Sequence, residues 1–402
     1  MIAAIAVSAE APGADPPRPW TELGSDGTLS VRIVLPAGAA CPKATVDGSD
    51  LPMLPRASPG LAFPITLCEV RAPAAASKIT VADSPAPTLP AEVKRIVVIG
   101  DTGCRLEGRA VQDCNDPEAW PFATIARRAA AHKPDLVIHV GDYYYRETAC
   151  PTDRNGCTGS PHGDGWATWQ ADFFDPAAPL LAAAPWVLVR GNHELCSRGG
   201  EGWVRLLDPH PGPLECAERS EPYRLHLGGL DLLLFDGAGA DDFKVLPENA
   251  AAYAAQLAAL LAAAPPHAWL VTHRPVWALA QGNLSGVAVN ATEEAAIRGQ
   301  VPPGLDLVLS GHLHDFLSYE FGPERPAQLV VGDSGDTMLE LGKEQPVGAE
   351  IDGAKVRKAF ALERFGFFVL DRTAAGWDGT LYDTNDTVLA RCQVSGRDLE
   401  CR

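Results

Sequence analysis

From residue 94 onward the chain carries five short, unbroken apolar runs: 95–99 (RIVVI), 136–140 (LVIHV), 186–189 (WVLV), 269–271 (WLV) and 305–309 (LDLVL). Continuous Val, Ile and Leu without polar alternation is the pattern of strands covered on both faces. Helix-like stretches lie between them, Phe122 to Ala131, Glu248 to Ala263 and Glu293 to Arg298. Strands alternating with helices predict an α/β domain over residues 91–402.

The region ahead of it has a different texture. Residues 20 to about 83 alternate β-favouring pieces, Leu29–Leu35, Phe63–Val70 and Lys78–Val81, with Gly and Pro punctuation, and Pro85, Pro87 and Pro90 follow as a stiff linker. Residues 20–90 are therefore expected to form a small β-rich domain with its linker. In residues 1–19, an apolar run from Ile2 to Val7 ends in Val7-Ser8-Ala9, like a signal-peptidase site, but no Lys or Arg precedes it. The expectation is a truncated signal-like leader whose start codon lies upstream. No stretch reaches the roughly 18–20 apolar residues of a membrane span; the richest, Ala250 to Ala264, is interrupted by Tyr253 and Gln256.

Composition narrows the function classes. Of 402 residues 46% are hydrophobic and 21% charged, which excludes a disordered or fibrous chain. The net charge of −18 repels nucleic acid and anionic membrane, so neither is an expected partner. An anionic substrate would need a local positive centre, for which metal ions are the candidate. Ten cysteines without a CxxC pair fit disulfides and an oxidising compartment, secreted or periplasmic. Pairing neighbours in sequence order is the simplest connectivity.

The chemistry lies just past each strand. The five runs are followed by Gly100-Asp101-Thr102-Gly103, Gly141-Asp142-Tyr143-Tyr144-Tyr145, Arg190-Gly191-Asn192-His193-Glu194, Thr272-His273-Arg274 and Gly311-His312-Leu313-His314. In open α/β sheets the carboxyl ends of strands border one crevice, so these side chains are expected to meet there. Asp, Asn and His donors without thiolate suit Zn, Fe, Mn or Mg. They are too many for one catalytic ion and fit two ions sharing a carboxylate, the arrangement that clamps both oxygens of an in-line phosphoryl displacement. The nucleophile would be a metal-bound hydroxide, with no Ser or Cys required.

Asp101-x-Gly103, Gly141-Asp142-x-x-Tyr145, Gly191-Asn192-His193-Glu194, His273 and Gly311-His312-x-His314 resemble, in order and spacing over about residues 94–320, the five motifs of the calcineurin-like metallophosphoesterases. The Gly-Asp-x-x-Tyr form resembles the purple acid phosphatase branch, in which that tyrosine is a phenolate ligand to Fe(III). The resemblance implies a four-layer αββα sandwich, preceded here by a β-rich domain similar to, but shorter than, the β-sandwich of many such enzymes. It also implies two metal ions, Fe with Zn, Mn or Fe. Asp101, Tyr145 and His314 would hold one ion and Asn192, His273 and His312 the other, with Asp142 between. His193, free of metal, would contact the substrate phosphate together with Asn192 and help protonate the leaving group, and Glu194 would orient an imidazole. Leu270 stands where the branch usually has Val.

Several readings stay open. Tyr143, Tyr144 and Tyr145 could all be pocket-wall aromatics around a site without Fe(III). The substrate would be a small phosphorylated molecule, most simply a monoester; the alternatives are a phosphodiesterase on the same site and a non-catalytic protein that binds phosphoryl ligands. His139 is expected in the core, His132 at a helix end, and His210, His226 and His267 in structural roles. His162 is a candidate substrate contact, Arg274 a phosphate contact or a surface ion pair, and Asp333 and Asp336 crevice or turn residues. The insertions Cys150–Cys157 and Cys196–Cys216 would shape the opening.

Overall fold

Alternate residues of strand Arg95–Ile99 point to opposite faces, and each face meets a different layer. Ile96 and Val98 pack with Leu136, Ile138, Leu232, Trp269 and Leu307 in a core shared by two stacked sheets. Val97 and Ile99 turn instead to Phe122, Ile125 and Ala129 of helix Phe122–Ala131 and to Phe173 and Leu180. On the far side, Leu233, Leu270 and Val308 meet Tyr253, Leu257 and Leu260 of helix Pro247–Leu261 and Ile297 of helix Ala291–Ile297. The layers run helix, sheet, sheet, helix, which is the expected αββα sandwich. This computed structural model describes residues 18–212, 214–262, 264–279, 288–339 and 346–402. The leader lies outside the described residues except for its last two positions, residues 18 and 19.

All five apolar runs are strands, but they divide between the sheets. Arg95–Ile99, Leu136–His139 and Trp186–Leu188 run parallel in an eleven-stranded sheet. Ala268–Val271 and Leu305–Ser310 run parallel in a seven-stranded one. The crevice is thus bordered by the carboxyl ends of strands from two stacked sheets, rather than by one open sheet.

The β-rich N-terminal region splits as well. Trp20–Leu23, Leu29–Pro36, Leu54–Ala57 and Ile65–Ala72 continue the larger sheet, with Glu22 paired to Trp186. Lys43–Val46, Ser49–Pro52, Ile79–Val81 and Ser84–Ala86 form a separate four-stranded sheet. At the other edge four C-terminal strands, Gly366–Thr373 through Asp398–Cys401, complete the larger sheet, Phe368 pairing with Val98. Five disulfides join the cysteines in sequence order: 41–68, 104–114, 150–157, 196–216 and 392–401. No helix among the described residues is long and apolar enough to cross a membrane.

Candidate metal centre

Three of the five motifs leave their strands through a turn that few residues tolerate. Asp101, Asp142 and His312 sit at φ of 54°, 61° and 70°, in the left-handed region, at a strain of about 1–3 kcal/mol each. Strain of this kind persists where surrounding contacts enforce it. Here Asp101 Oδ2 accepts from the His312 amide at 2.9 Å, and Asp142 Oδ1 from the His193 amide at 2.9 Å. The motif glycines are needed for space: a Cβ on Gly141 would overlap the His273 ring, one on Gly191 would overlap Asp142, and one on Gly311 would overlap Asp101.

The turns bring the seven expected ligands together. Tyr145 Oη lies 2.8 Å from Asp142 Oδ2, 3.1 Å from Asp101 Oδ1 and 3.1 Å from His314 Nε2, while His314 Nε2 is 3.5 Å from Asp101. Across Asp142, His273 Nε2 is 3.1 Å from Oδ2 and 3.2 Å from Asn192 Oδ1. Donor atoms of Asp142, His273 and His312 all fall within 4.8 Å of one another. Ligands 2.0–2.2 Å from a shared ion stand roughly 3–3.5 Å apart, so both groups fit one ion each. Tyr143 and Tyr144 point elsewhere: Tyr143 stacks on His139 at 3.9 Å and donates to the Val189 carbonyl, and Tyr144 stacks on Trp169.

Electrostatics make the same case for cations. Burial and the neighbouring Asp142 push the Asp101 carboxyl well above its ordinary range. Burial also opposes ionisation of Asp142, yet His273 and His193 hold it well below that range. Burial together with Asp142 and Asp101 keeps the Tyr145 phenol strongly protonated in the protein alone. Buried carboxylates this close are costly unless a cation lies between them.

Around the ligands stands a shell that the motifs do not reveal. His193 Nδ1 is 2.8 Å from Glu147 Oε1, its Nε2 is 4.0 Å from Asp142 Oδ2, and its ring lies 3.8 Å from that of Tyr145. Arg198 Nη2 reaches His193 Nδ1 at 2.9 Å and Glu147 at 2.5 Å. On the other flank Asp242 takes His312 Nε2 at 3.0 Å and Arg274 Nη1 at 2.5 Å, leaving His312 Nδ1 as the nitrogen for an ion. His314 Nδ1 is fixed by the Thr337 carbonyl at 2.8 Å and lies 3.3 Å from Asp336, which pairs with Arg105. Glu147 follows Tyr145 by two, which in extended backbone places both on one side, a signal present in the sequence. Asp242 and Arg198 follow no strand and gave none.

Two expectations need correction. Glu194 orients no imidazole: wholly buried, its carboxylate accepts the amides of Asp142, Tyr143, Tyr144 and Gly191 at 2.9–3.1 Å and ties the second motif to the third. Arg274 is no surface ion pair, being nine-tenths buried against Asp242 and His312. Elsewhere, His139 is a core residue bonded to Thr102 at 2.9 Å. His132, His210, His226 and His267 each pair with an aspartate. His162 is exposed, with no hydrogen bond to the cluster among the described residues. Asp333 is wholly buried in the strand-end turn.

A family model for the calcineurin-like phosphoesterases matches residues 94–316. Among solved structures, a purple acid phosphatase from yellow lupin (Lupinus luteus) seeds is similar over 95% of this chain and 73% of its own, at 14% identity and a TM-score of 0.60. A structure of PhoD is similar over 97% of this chain and 93% of its own, at 14% identity and a TM-score of 0.58. No curated protein sequence matches the chain.

Proposed function

Because the chain belongs to the calcineurin-like phosphoesterase family, we propose that it is a binuclear-metal hydrolase of phosphomonoesters. The observation that carries this reading is the gathering around Asp142 of side chains from five strand ends: Tyr145, His273 and His312 beside it, Asp101 and His314 through Tyr145, and Asn192 through His273. Asp101, Tyr145 and His314 would hold one ion, Asn192, His273 and His312 the other, and Asp142 both. A tyrosine oxygen in the first set favours a hard trivalent ion there, Fe(III), with Zn, Mn or Fe beside it. When bound, the pair would supply positive charge to the phosphoryl oxygens and activate water.

The protein's own residues do the rest. Glu147 on Nδ1 orients the His193 ring so that Nε2 faces the cluster. From there His193 contacts the substrate phosphate, with Asn192, and delivers a proton to the departing alcohol oxygen. The Thr337 carbonyl fixes the tautomer and direction of the His314 imidazole, and Asp242 with Arg274 holds the direction of the His312 ring. Five disulfides support an exported protein, secreted or periplasmic.

The test is hydrolysis of a phosphomonoester and the matching diester by protein produced under oxidising conditions with Fe, Zn and Mn supplied, alongside Asp142→Asn. Monoester preference that disappears in the variant is expected. Diester preference would move the assignment to a phosphodiesterase, and a fully active Asp142→Asn would overturn it.

A further inference from the structure

Beside the metal cluster, two arginines close on one carboxylate. Arg105 stands over the Tyr145 ring, 4.9 Å from its centroid, and Arg198 Nη2 lies 2.9 Å from His193 Nδ1. Glu107 spans them, Oε2 at 2.8 Å from Arg105 Nη1 and Oε1 at 3.1 Å from Arg198 Nη2. We propose that Arg105 and Arg198 form a second anion site next to the metal centre, that Glu107 fills it in the free protein, and that the substrate is a phosphate ester whose leaving group carries a second anionic group. This rests on the phosphoesterase reading above.

Four features separate this arrangement from an ordinary surface ion pair. The arginines are held independently of Glu107: Arg105 by wholly buried Asp336 and Arg198 by Glu147 at 2.5 Å. Their guanidinium groups therefore stay in place when Glu107 leaves. Glu107 is the exchangeable member, its side chain 42% exposed against 19% and 22% for the arginines, and its carboxylate bonded only to these two guanidinium groups among the described residues. Such half-exposed pairs are weak, so an incoming anion can replace it.

The frame is also built. The hairpin of Leu106–Glu107 and Ala110–Val111 is closed at its base by the Cys104–Cys114 disulfide, and Leu106 bridges to Arg146 beside Glu147. Finally, the site lies on the leaving-group side. Arg198 touches His193, the group proposed to protonate the departing oxygen, so the rest of the alcohol extends toward the two arginines. Paired guanidinium groups suit carboxylate or phosphate, and on a chain of net charge −18 they supply locally the attraction the average field lacks.

Calorimetric titration of the metal-loaded protein with alkyl phosphonates and ω-carboxyalkyl phosphonates of equal length, two to five carbons, at 0.15 M salt tests this. In Glu107→Gln the best carboxyalkyl phosphonate is expected to bind at least tenfold tighter than its neutral counterpart, with a smaller gap in the wild type. Equal affinities in the variant overturn the anion site, and a wild-type gap as large as the variant's overturns its occupation by Glu107. Failure of both series to bind overturns the inference together with the phosphoesterase reading. Failure to hydrolyse alkyl phosphates while the affinity gap is present overturns that reading alone and leaves the anion site standing.

Discussion

The Tyr145 hydroxyl lies 2.8 Å from Oδ2 of Asp142, although only two residues separate them in the chain, and the left-handed turn at Asp142 makes that approach possible. Its neighbours Tyr143 and Tyr144 turn into the core, so the three consecutive tyrosines divide cleanly by role. Replacement of Tyr145 by Phe removes the one phenol oxygen in the cluster. Fe(III)-loaded wild type is expected to show a visible charge-transfer band, and Tyr145→Phe to lose it along with much of its iron. A band that survives the substitution contradicts the assignment of Tyr145 as a ligand.

Gly191 has an ordinary backbone but no room, since a Cβ there would overlap Asp142 Oδ1. Gly191→Ala must displace the proposed bridging carboxylate, and misplacement of about 1 Å costs roughly 10²-fold in rate. The expected result is at least that loss, with reduced metal content by elemental analysis and an unchanged circular dichroism spectrum. Full metal occupancy at full rate would show that the turn has slack.

Glu147 touches His193 and none of the seven expected ligands. Glu147→Gln keeps the size but weakens the hold on Nδ1. We expect kcat to fall about 10–100-fold, in line with other groups that orient a catalytic or ligating imidazole, with metal content retained and KM little changed. Loss of metal in this variant would assign Glu147 to the ligand set instead.

Glu293 is wholly buried, its carboxylate receiving Asn290 Nδ2 at 2.7 Å, and burial pushes its pKa up to about 8 from 4.5. A carboxyl whose pKa is raised on folding contributes its stability below the unfolded value and loses it as pH climbs through the folded one. Between about pH 4.5 and pH 8 the wild type therefore pays an increasing cost, in total a few kcal/mol. Glu293→Gln should melt close to wild type at pH 4.5 and several degrees higher at pH 9. A difference in Tm that does not change with pH would refute this.

What the sequence alone determined is local. Unbroken apolar runs mark five strands because burial on both faces tolerates no polar alternation, and a donor residue just past each run, beside a glycine in four of the five, marks a turn that projects a candidate ligand. Asp101, Asp142, Asn192, His273, His312 and His314 were legible as candidate donors for that reason, and Tyr145 and His193 through the resemblance of their motifs to the family's. What only the tertiary structure decided involves pairings between distant segments. Whether Leu305–Ser310 joins Ala268–Val271 or Leu136–His139 depends on which faces pack, and the answer puts the cluster between two sheets. Strands Trp20–Leu23, Leu29–Pro36, Leu54–Ala57 and Ile65–Ala72 could equally have closed on themselves, yet Trp20–Leu23 pairs with Trp186–Leu188 and carries them into the main sheet. Arg198, Arg105 and Asp242 border the site because loops from separate parts of the chain fold over it, and loop side chains carry no periodicity from which a meeting can be read.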